Sequence, residues 1–232
     1  MTAEEFRRQL TVNNIILDEE QCEQFEKYAL ILVKWNEIMN LTAITSPQDI
    51  YEKHFFDSIL PFIKHQPAGN LCDVGSGAGF PGVVIKIVYP QLQVTLLEPL
   101  QKRVVFLNAL IAELKLTGIE VVNARAEEYV LQHRESFDWV TARAVAKLTV
   151  LAELCLPLVR IGGCFIALKG QNGQHEYEEA SRAIKLLGGK LADEGTVKLN
   201  TETTRYNLLI SKDYSTPVSY PRSYAAIKRK PL

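Results

Sequence analysis

Hydrophobic positions change their spacing near residue 70. Over the first 65 or so residues they recur at helical intervals, as in Phe25, Tyr28, Leu32 and Trp35, and this stripe reads as core packing. Polar residues stand where helices begin: Thr2 with Glu5, Asp18 ahead of a long segment, and Ser46-Pro47 with Asp49. The breaker cluster Gln66-Pro67-Ala68-Gly69 ends the helical region. Beyond it, short apolar runs alternate with amphipathic stretches. Strands are predicted at Leu71–Val74, Val94–Leu97, Glu120–Val122, Trp139–Ala142, Gly163–Leu168, Thr196–Leu199 and Arg205–Ser211. Helices are predicted from Pro81, over Leu100–Leu116, around Val145–Leu158 and near Tyr177–Leu187.

Strand–helix units of this length build a mainly parallel, doubly wound sheet, because parallel neighbours need a crossover helix between them. Only Asn200 to Thr204 separate the last two strands, which are therefore predicted to form an antiparallel hairpin. The resulting expectation is an α/β fold with a seven-stranded sheet spanning residues 66–212. A helical extension over 1–65 precedes it, and a basic tail over 213–232 follows.

Composition narrows the class. With 232 residues, 47% of them hydrophobic, the chain can bury a sizeable core. No apolar run approaches the roughly 20 residues that cross a bilayer. Met1-Thr2-Ala3-Glu4-Glu5 has neither the basic start nor the apolar stretch of a signal peptide, so a cytoplasmic protein without membrane contact is expected. Cys22, Cys72, Cys155 and Cys164 lie far apart with no CxxC spacing, which indicates neither a disulfide framework nor a metal site. The net charge of −1 gives no nucleic-acid signal by itself. Its distribution is uneven, however: residues 1–69 carry 11 acidic and 6 basic side chains, residues 212–232 carry 1 and 5. A solvated tail accounts for the latter as readily as a phosphate contact does.

The chemistry concentrates in Asp73-Val74-Gly75-Ser76-Gly77-Ala78-Gly79-Phe80-Pro81-Gly82, where the first strand turns into a helix. In an open α/β sheet such a turn lets a ligand approach the backbone. Gly77-x-Gly79-x-x-Gly82 also matches the dinucleotide pattern, which keeps a nicotinamide or flavin oxidoreductase in play. Asp73 tips the balance: a carboxylate at the strand end accepts from the ammonium of S-adenosylmethionine and repels a pyrophosphate. Glu98 ends the second strand, where a carboxylate accepts ribose hydroxyls of either cofactor. Ala126 and Glu127, in Ala124-Arg125-Ala126-Glu127, are placed to meet an adenine amino group, although Glu127 and Glu128 also suit a helix start.

The fourth strand ends in Thr141-Ala142-Arg143-Ala144 and lacks the Asp/Asn-Pro-Pro-aromatic motif of amine methylation. No cysteine stands there for covalent attack. Guanine N7, whose in-plane lone pair needs no deprotonation, suits such a site, with catalysis by positioning and no general base. Arg143 is the candidate catalytic residue: it can fork onto the base or hold the cofactor's carboxylate. Pairing with a carboxylate at the edge of the core is an equal alternative.

Taken with Lys34-Trp35-Asn36, Asn40-Leu41-Thr42-Ala43-Ile44, His54 with Asp57-Ser58, Arg125-Ala126-Glu127, Leu168-Lys169-Gly170, Tyr220-Pro221-Arg222 and Lys230-Pro231-Leu232, these motifs span nearly the whole chain. In them the sequence resembles the bacterial small-subunit rRNA methyltransferase G family, also called glucose-inhibited division protein B. The resemblance implies a Rossmann-like class I methyltransferase that modifies N7 of one guanine in 16S rRNA, with the small ribosomal subunit as partner. It places cofactor contacts at Gly75, Phe80, Ala126, Glu127 and Arg143, with Glu98 in the ribose position and Gly77 and Gly79 in the same turn. The Phe80 ring can wall the methionine end, and packing as a cap on the first helix of the sheet domain is its alternative role.

Further expectations follow for the remaining motifs. The stretch from Ser223 to Arg229 lacks the glycine and proline typical of the family, but its basic character leads us to expect Arg222, Lys228, Arg229 and Lys230 on RNA phosphates. Lys169 is expected to join them from the end of strand five. His54 and Asp57, three apart on a helix, can share a face and hydrogen-bond, and neither receives a catalytic role. A monomer best suits a large particle as substrate. A non-catalytic rRNA-binding assembly factor is the remaining alternative.

Overall fold

Two reciprocal caps start the chain. The Thr2 hydroxyl accepts from Glu5 N while Glu5 accepts from Thr2 N, which opens α1 (Ala3–Val12). Asp18 and Gln21 exchange the same pair of bonds and open α2 (Glu19–Met39). Ser46 caps α3 (Pro47–Asp49), and the helical path continues through a π-helical turn (Ile50–Phe56), α4 (Asp57–Ile59) and a 3-10 turn (Leu60–Phe62). The aromatic stripe does pack: Phe25, Tyr28 and Leu32 are buried, and Trp35 meets Phe106 in an edge-to-face contact with 5.7 Å between ring centres.

The computed structural model describes residues 1–199 and 204–232. The strands are β1 (Asn70–Val74), β2 (Gln93–Leu97), β3 (Ile119–Val122), β4 (Phe137–Arg143), β5 (Val159–Lys169), β6 (Gly189–Lys198) and β7 (Thr204–Lys212). They form one seven-stranded sheet in the order β3-β2-β1-β4-β5-β7-β6. Pairings from β3 through β5 are parallel, and β7 runs antiparallel to both of its neighbours. The helices of this part are α5 (Gly82–Val88), α6 (Gln101–Glu113), α7 (Ala126–His133), α8 (Leu148–Cys155), α9 (Gly173–Leu186) and α10 (Tyr224–Arg229).

Strand alternation sends Leu71 into one hydrophobic cluster and Cys72 and Val74 into the other. The first cluster joins the sheet to α5, α6 and the N-terminal helices; the second joins it to α7, α8, α9 and α10. Docking of α2 is polar as well as apolar. Gln21 donates to Ile87 O at 2.7 Å and Gln24 to Leu114 O at 3.1 Å, satisfying carbonyls left over at the ends of α5 and α6.

Two sequence-based boundaries shift, and one falls where the structure is not described. β6 starts at Gly189, seven residues before the predicted Thr196, because Asp193, Glu194 and Gly195 hide an edge strand whose register slips between Leu191 and Asp193. The connection expected over Asn200–Thr204 lies, apart from Thr204, outside the described residues. The helix expected from Val145 begins at Leu148, since Ala144 takes a left-handed φ of 57° and residues 144–147 turn instead.

The C-terminal segment is docked. Arg134 donates to the carbonyls of Thr216 and Tyr220, Glu135 accepts from Thr216 N at 2.7 Å, and Ile227 is fully buried in the second cluster beside Tyr220, Tyr224 and Leu232.

Candidate active site

Strand order reverses between β1 and β4, since β2 and β3 lie to one side of β1 and β5 to the other side of β4. Ligands of doubly wound sheets bind beyond the carboxyl ends at such a switch point. The Asp73–Gly82 turn leaves β1 there, and Arg143 ends β4 beside it.

Backbone geometry shapes the turn. Gly79, with φ 93°, lets the Tyr28 hydroxyl approach, and a Cβ there would sit 2.5 Å from that oxygen. Tyr28 itself donates to Ala78 O at 2.6 Å, so this core residue also fastens the turn. Gly77, with φ 59°, has only Gly75 O at 3.8 Å before its missing Cβ and so presents an open backbone face.

Asp73 lies beneath. Its Oδ2 accepts from Gly82 N at 2.9 Å, while Oδ1 is buried and has no partner among the described residues. Burial pushes its pKa up to about 7, against the lowering effect of the Gly82 N–H. A buried carboxylate oxygen awaiting a cation beside an open glycine face fits the ammonium end of S-adenosylmethionine.

Glu98, buried at the end of β2, has other partners than the expected ribose hydroxyls. Its Oε2 accepts from Gly77 N and its Oε1 from Leu100 N, each at 2.9 Å. It therefore splints β2 to the glycine turn, although a carboxylate has further lone pairs to offer. Asn123 extends the tie to β3 by donating to Glu98 O at 2.9 Å. Ala126 and Glu127 open α7 at the neighbouring corner, where Glu127 Oε1 accepts from Arg125 Nε at 2.6 Å.

Arg143 takes the pairing that sequence weighed against its catalytic roles. Nη1 donates to Asp57 Oδ2 at 3.1 Å and to Lys53 O at 3.2 Å, and Nη2 donates to His54 Nδ1 at 3.0 Å. Arg205 donates to the other oxygen of Asp57 at 2.7 Å. His54 and Asp57 both reach the Arg143 guanidinium, and so they meet through it instead of by the direct bond that their spacing allows. Burial, reinforced by Arg143, lowers the His54 pKa to about 3, so the ring is neutral at physiological pH. Because an arginine only donates, Nδ1 accepts, and Nε2–H donates to the Thr42 hydroxyl at 2.9 Å.

Three expectations are corrected. The Phe80 ring is buried, stacks with His54 at 4.3 Å and with Tyr28 at 5.4 Å, and has the Arg143 guanidinium carbon 4.9 Å from its centre, so it takes the packing role weighed against an open wall. Lys169 is also buried. It pairs with Glu176 at 2.8 Å and donates to Ala146 O at 2.7 Å, which fixes the 144–147 turn and leaves no free cation for RNA. Arg222 is bidentate on the fully buried Glu153, at 2.8 and 2.5 Å, and so clamps the tail. Lys228, Arg229 and Lys230 are exposed at the end of α10.

Between these elements opens a cleft of 530 Å³, lined by Lys53, His54, Asp57, Arg143, Val145, Lys147, Lys169, Glu176 and Arg205 among others. Five cationic side chains line it, of which Lys169 is neutralised by Glu176 while Arg143 and Arg205 share the single carboxylate of Asp57, so the cleft keeps a net positive charge. Sequence reasoning missed Lys53, Lys147 and Arg205, and no local signal marks them, since Arg205 meets Asp57 across 148 positions. Val145 carries the cleft up to the glycine turn: a Cβ on Gly75 would lie 2.7 Å from its methyl.

A doubly wound sheet with an antiparallel final hairpin, carrying an acidic glycine turn at its switch point, defines a class I S-adenosylmethionine-dependent methyltransferase. Solved structures share the fold. Ribosomal protein L11 methylase from Lactobacillus delbrueckii subsp. bulgaricus aligns with a TM-score of 0.54 over 73% of this chain and 81% of its own, at 13% identity. Aeropyrum pernix fibrillarin, solved with natively bound S-adenosyl-L-methionine, aligns at 0.52 over 67% and 73%, also at 13% identity.

The sequence family described as GidB, rRNA small subunit methyltransferase G, matches residues 21–204. Ribosomal RNA small subunit methyltransferase G from Staphylococcus aureus (strain JH9) is 48% identical over 100% of this chain and 99% of its own length. The chain belongs to the rRNA small subunit methyltransferase G family, which sets aside the oxidoreductase reading of the glycine pattern.

Proposed function

We propose that this chain transfers the methyl group of S-adenosylmethionine to N7 of a guanine in 16S rRNA, acting as a monomer on the small ribosomal subunit in the cytoplasm. The observation that carries this reading is the cationic cleft adjoining the glycine turn, in a protein whose net charge is only −1. Such local positive charge draws a phosphate backbone to the place where the base must enter.

The sulfonium supplies an electrophilic methyl group when bound, and this chain's residues provide position. Asp73 and the Gly75, Gly77 and Gly79 backbone receive the methionine end, Glu98 the ribose, and Ala126 and Glu127 the adenine. Arg143, held by Asp57 and His54, forms the wall against which the guanine sits. A guanine N7 surrenders no proton on methylation. A cleft in which His54, the one histidine among the described lining residues, is neutral and has its free lone pair already used by Arg143 suits that chemistry. Exposed Lys147 at the cleft and Lys228, Arg229 and Lys230 on the tail meet phosphates.

Purified protein, labelled S-adenosylmethionine and small subunits lacking the modification test the proposal. Labelled 7-methylguanosine in 16S rRNA is expected. Binding to subunits without transfer of label would favour an assembly factor instead.

A further inference from the structure

The tail does more than carry charge. Arg222 on Glu153 and buried Ile227 seat α10 against the second hydrophobic cluster, and this places the Tyr224 ring 4.2 Å from the Arg125 guanidinium carbon. The same guanidinium donates through Nε to Glu127 Oε1 at 2.6 Å. Arg125 immediately precedes α7, no side chain caps that helix, and 41% of the Arg125 side chain is exposed. The orientation of the Glu127 carboxylate thus depends on a guanidinium held on its other side by an aromatic face from the tail.

Lys228 follows Tyr224 by four residues and shares its side of the helix, with Arg229 and Lys230 next to it. An RNA strand seated on these cations bears on the element that carries Tyr224.

We propose that Tyr224 is a positioning residue for the adenine side of the cofactor site, acting through Arg125 and Glu127, and that through it RNA binding on the tail tightens cofactor binding. The inference rests on the reading of Glu127 as an adenine contact. Coupling of this kind is reciprocal: whatever factor RNA adds to cofactor affinity, cofactor adds to RNA affinity.

Calorimetry with S-adenosylhomocysteine, with and without 16S rRNA, tests it on the full-length protein. Tyr224→Leu keeps the apolar contact and removes the aromatic face, so it should weaken S-adenosylhomocysteine on the order of two- to five-fold. Tyr224→Phe should restore the affinity. In turnover, Tyr224→Leu should raise the KM for S-adenosylmethionine with kcat unchanged, a split that a general loss of folded protein does not produce. The tightening by RNA should vanish in Tyr224→Leu and in the combined Lys228→Ala, Arg229→Ala, Lys230→Ala variant. Glu127→Gln separates the two levels. If it weakens binding while Tyr224→Leu matches the parent, or if RNA leaves the parent's affinity unchanged, the coupling through Tyr224 is overturned. If Glu127→Gln binds like the parent, the reading of the adenine corner fails and the inference with it.

Discussion

Arg143 Nη1 donates to Asp57 Oδ2 at 3.1 Å, joining the end of β4 to the helical segment 86 positions earlier. Asp57 is nearly inaccessible and also receives Arg205 on its other oxygen, so one carboxylate holds two guanidinium groups at the cleft. Removing it would strand both charges. Asp57→Ala should cost about 3–5 kcal/mol, and Asp57→Asn less, in denaturant unfolding. A loss below about 1 kcal/mol would show that solvent already compensates these arginines.

His54 makes stability depend on acid. Its folded pKa, about 3, lies below the ordinary 6.5, so in that window the unfolded chain binds a proton that the folded one refuses. Its contribution is full above pH 6.5 and is lost as pH falls toward 3. Comparison of His54→Gln with the parent by thermal unfolding at several pH values should therefore show the parent losing more stability on acidification. Parallel curves would contradict the neutral, Arg143-bound ring.

Asp73 acts in the opposite sense. Its folded pKa is raised to about 7 from 3.8, so without a ligand stability declines as pH rises through that window. A cationic ligand group needs the ionised form, and S-adenosylhomocysteine affinity should rise between about pH 6 and 8. Asp73→Asn should bind weakly with a flat profile. An unchanged rise in that variant would assign the titration to another group.

Much of this was legible in the chain, and the rest was hidden for identifiable reasons. The caps at Thr2, Asp18 and Ser46 depend on neighbours three residues away, and the strand ends at Asp73, Glu98 and Arg143 on local apolar runs, so sequence places them. The partners of those residues come from elsewhere in the fold. Glu98 turns inward to Gly77 and Leu100, Lys169 to Glu176, and Arg222 to Glu153, pairings decided by packing. Tyr28 was readable as core, but nothing near it in sequence announces that its hydroxyl reaches Ala78. A basic residue at a strand end or in a tail thus looks free until a buried carboxylate is found beside it.

Basic residues in these two settings, exposed on the tail or paired with a carboxylate, should separate in a salt titration of rRNA binding. Replacing Lys228, Arg229 and Lys230 together by alanine should weaken binding and reduce the slope of log affinity against log salt by roughly 0.7–0.9 per lost phosphate contact. Lys169→Met should leave that slope intact and instead loosen the 144–147 turn, seen as a lower melting temperature. A slope reduced equally by both changes would return Lys169 to the RNA surface.

Methyl transfer to guanine N7 in 16S rRNA is decided by nucleoside mass spectrometry of 16S rRNA from a strain lacking this protein. Loss of one 7-methylguanosine is expected, restored by the parent chain and not by Asp73→Asn. Full 7-methylguanosine content in the deletion strain would contradict it.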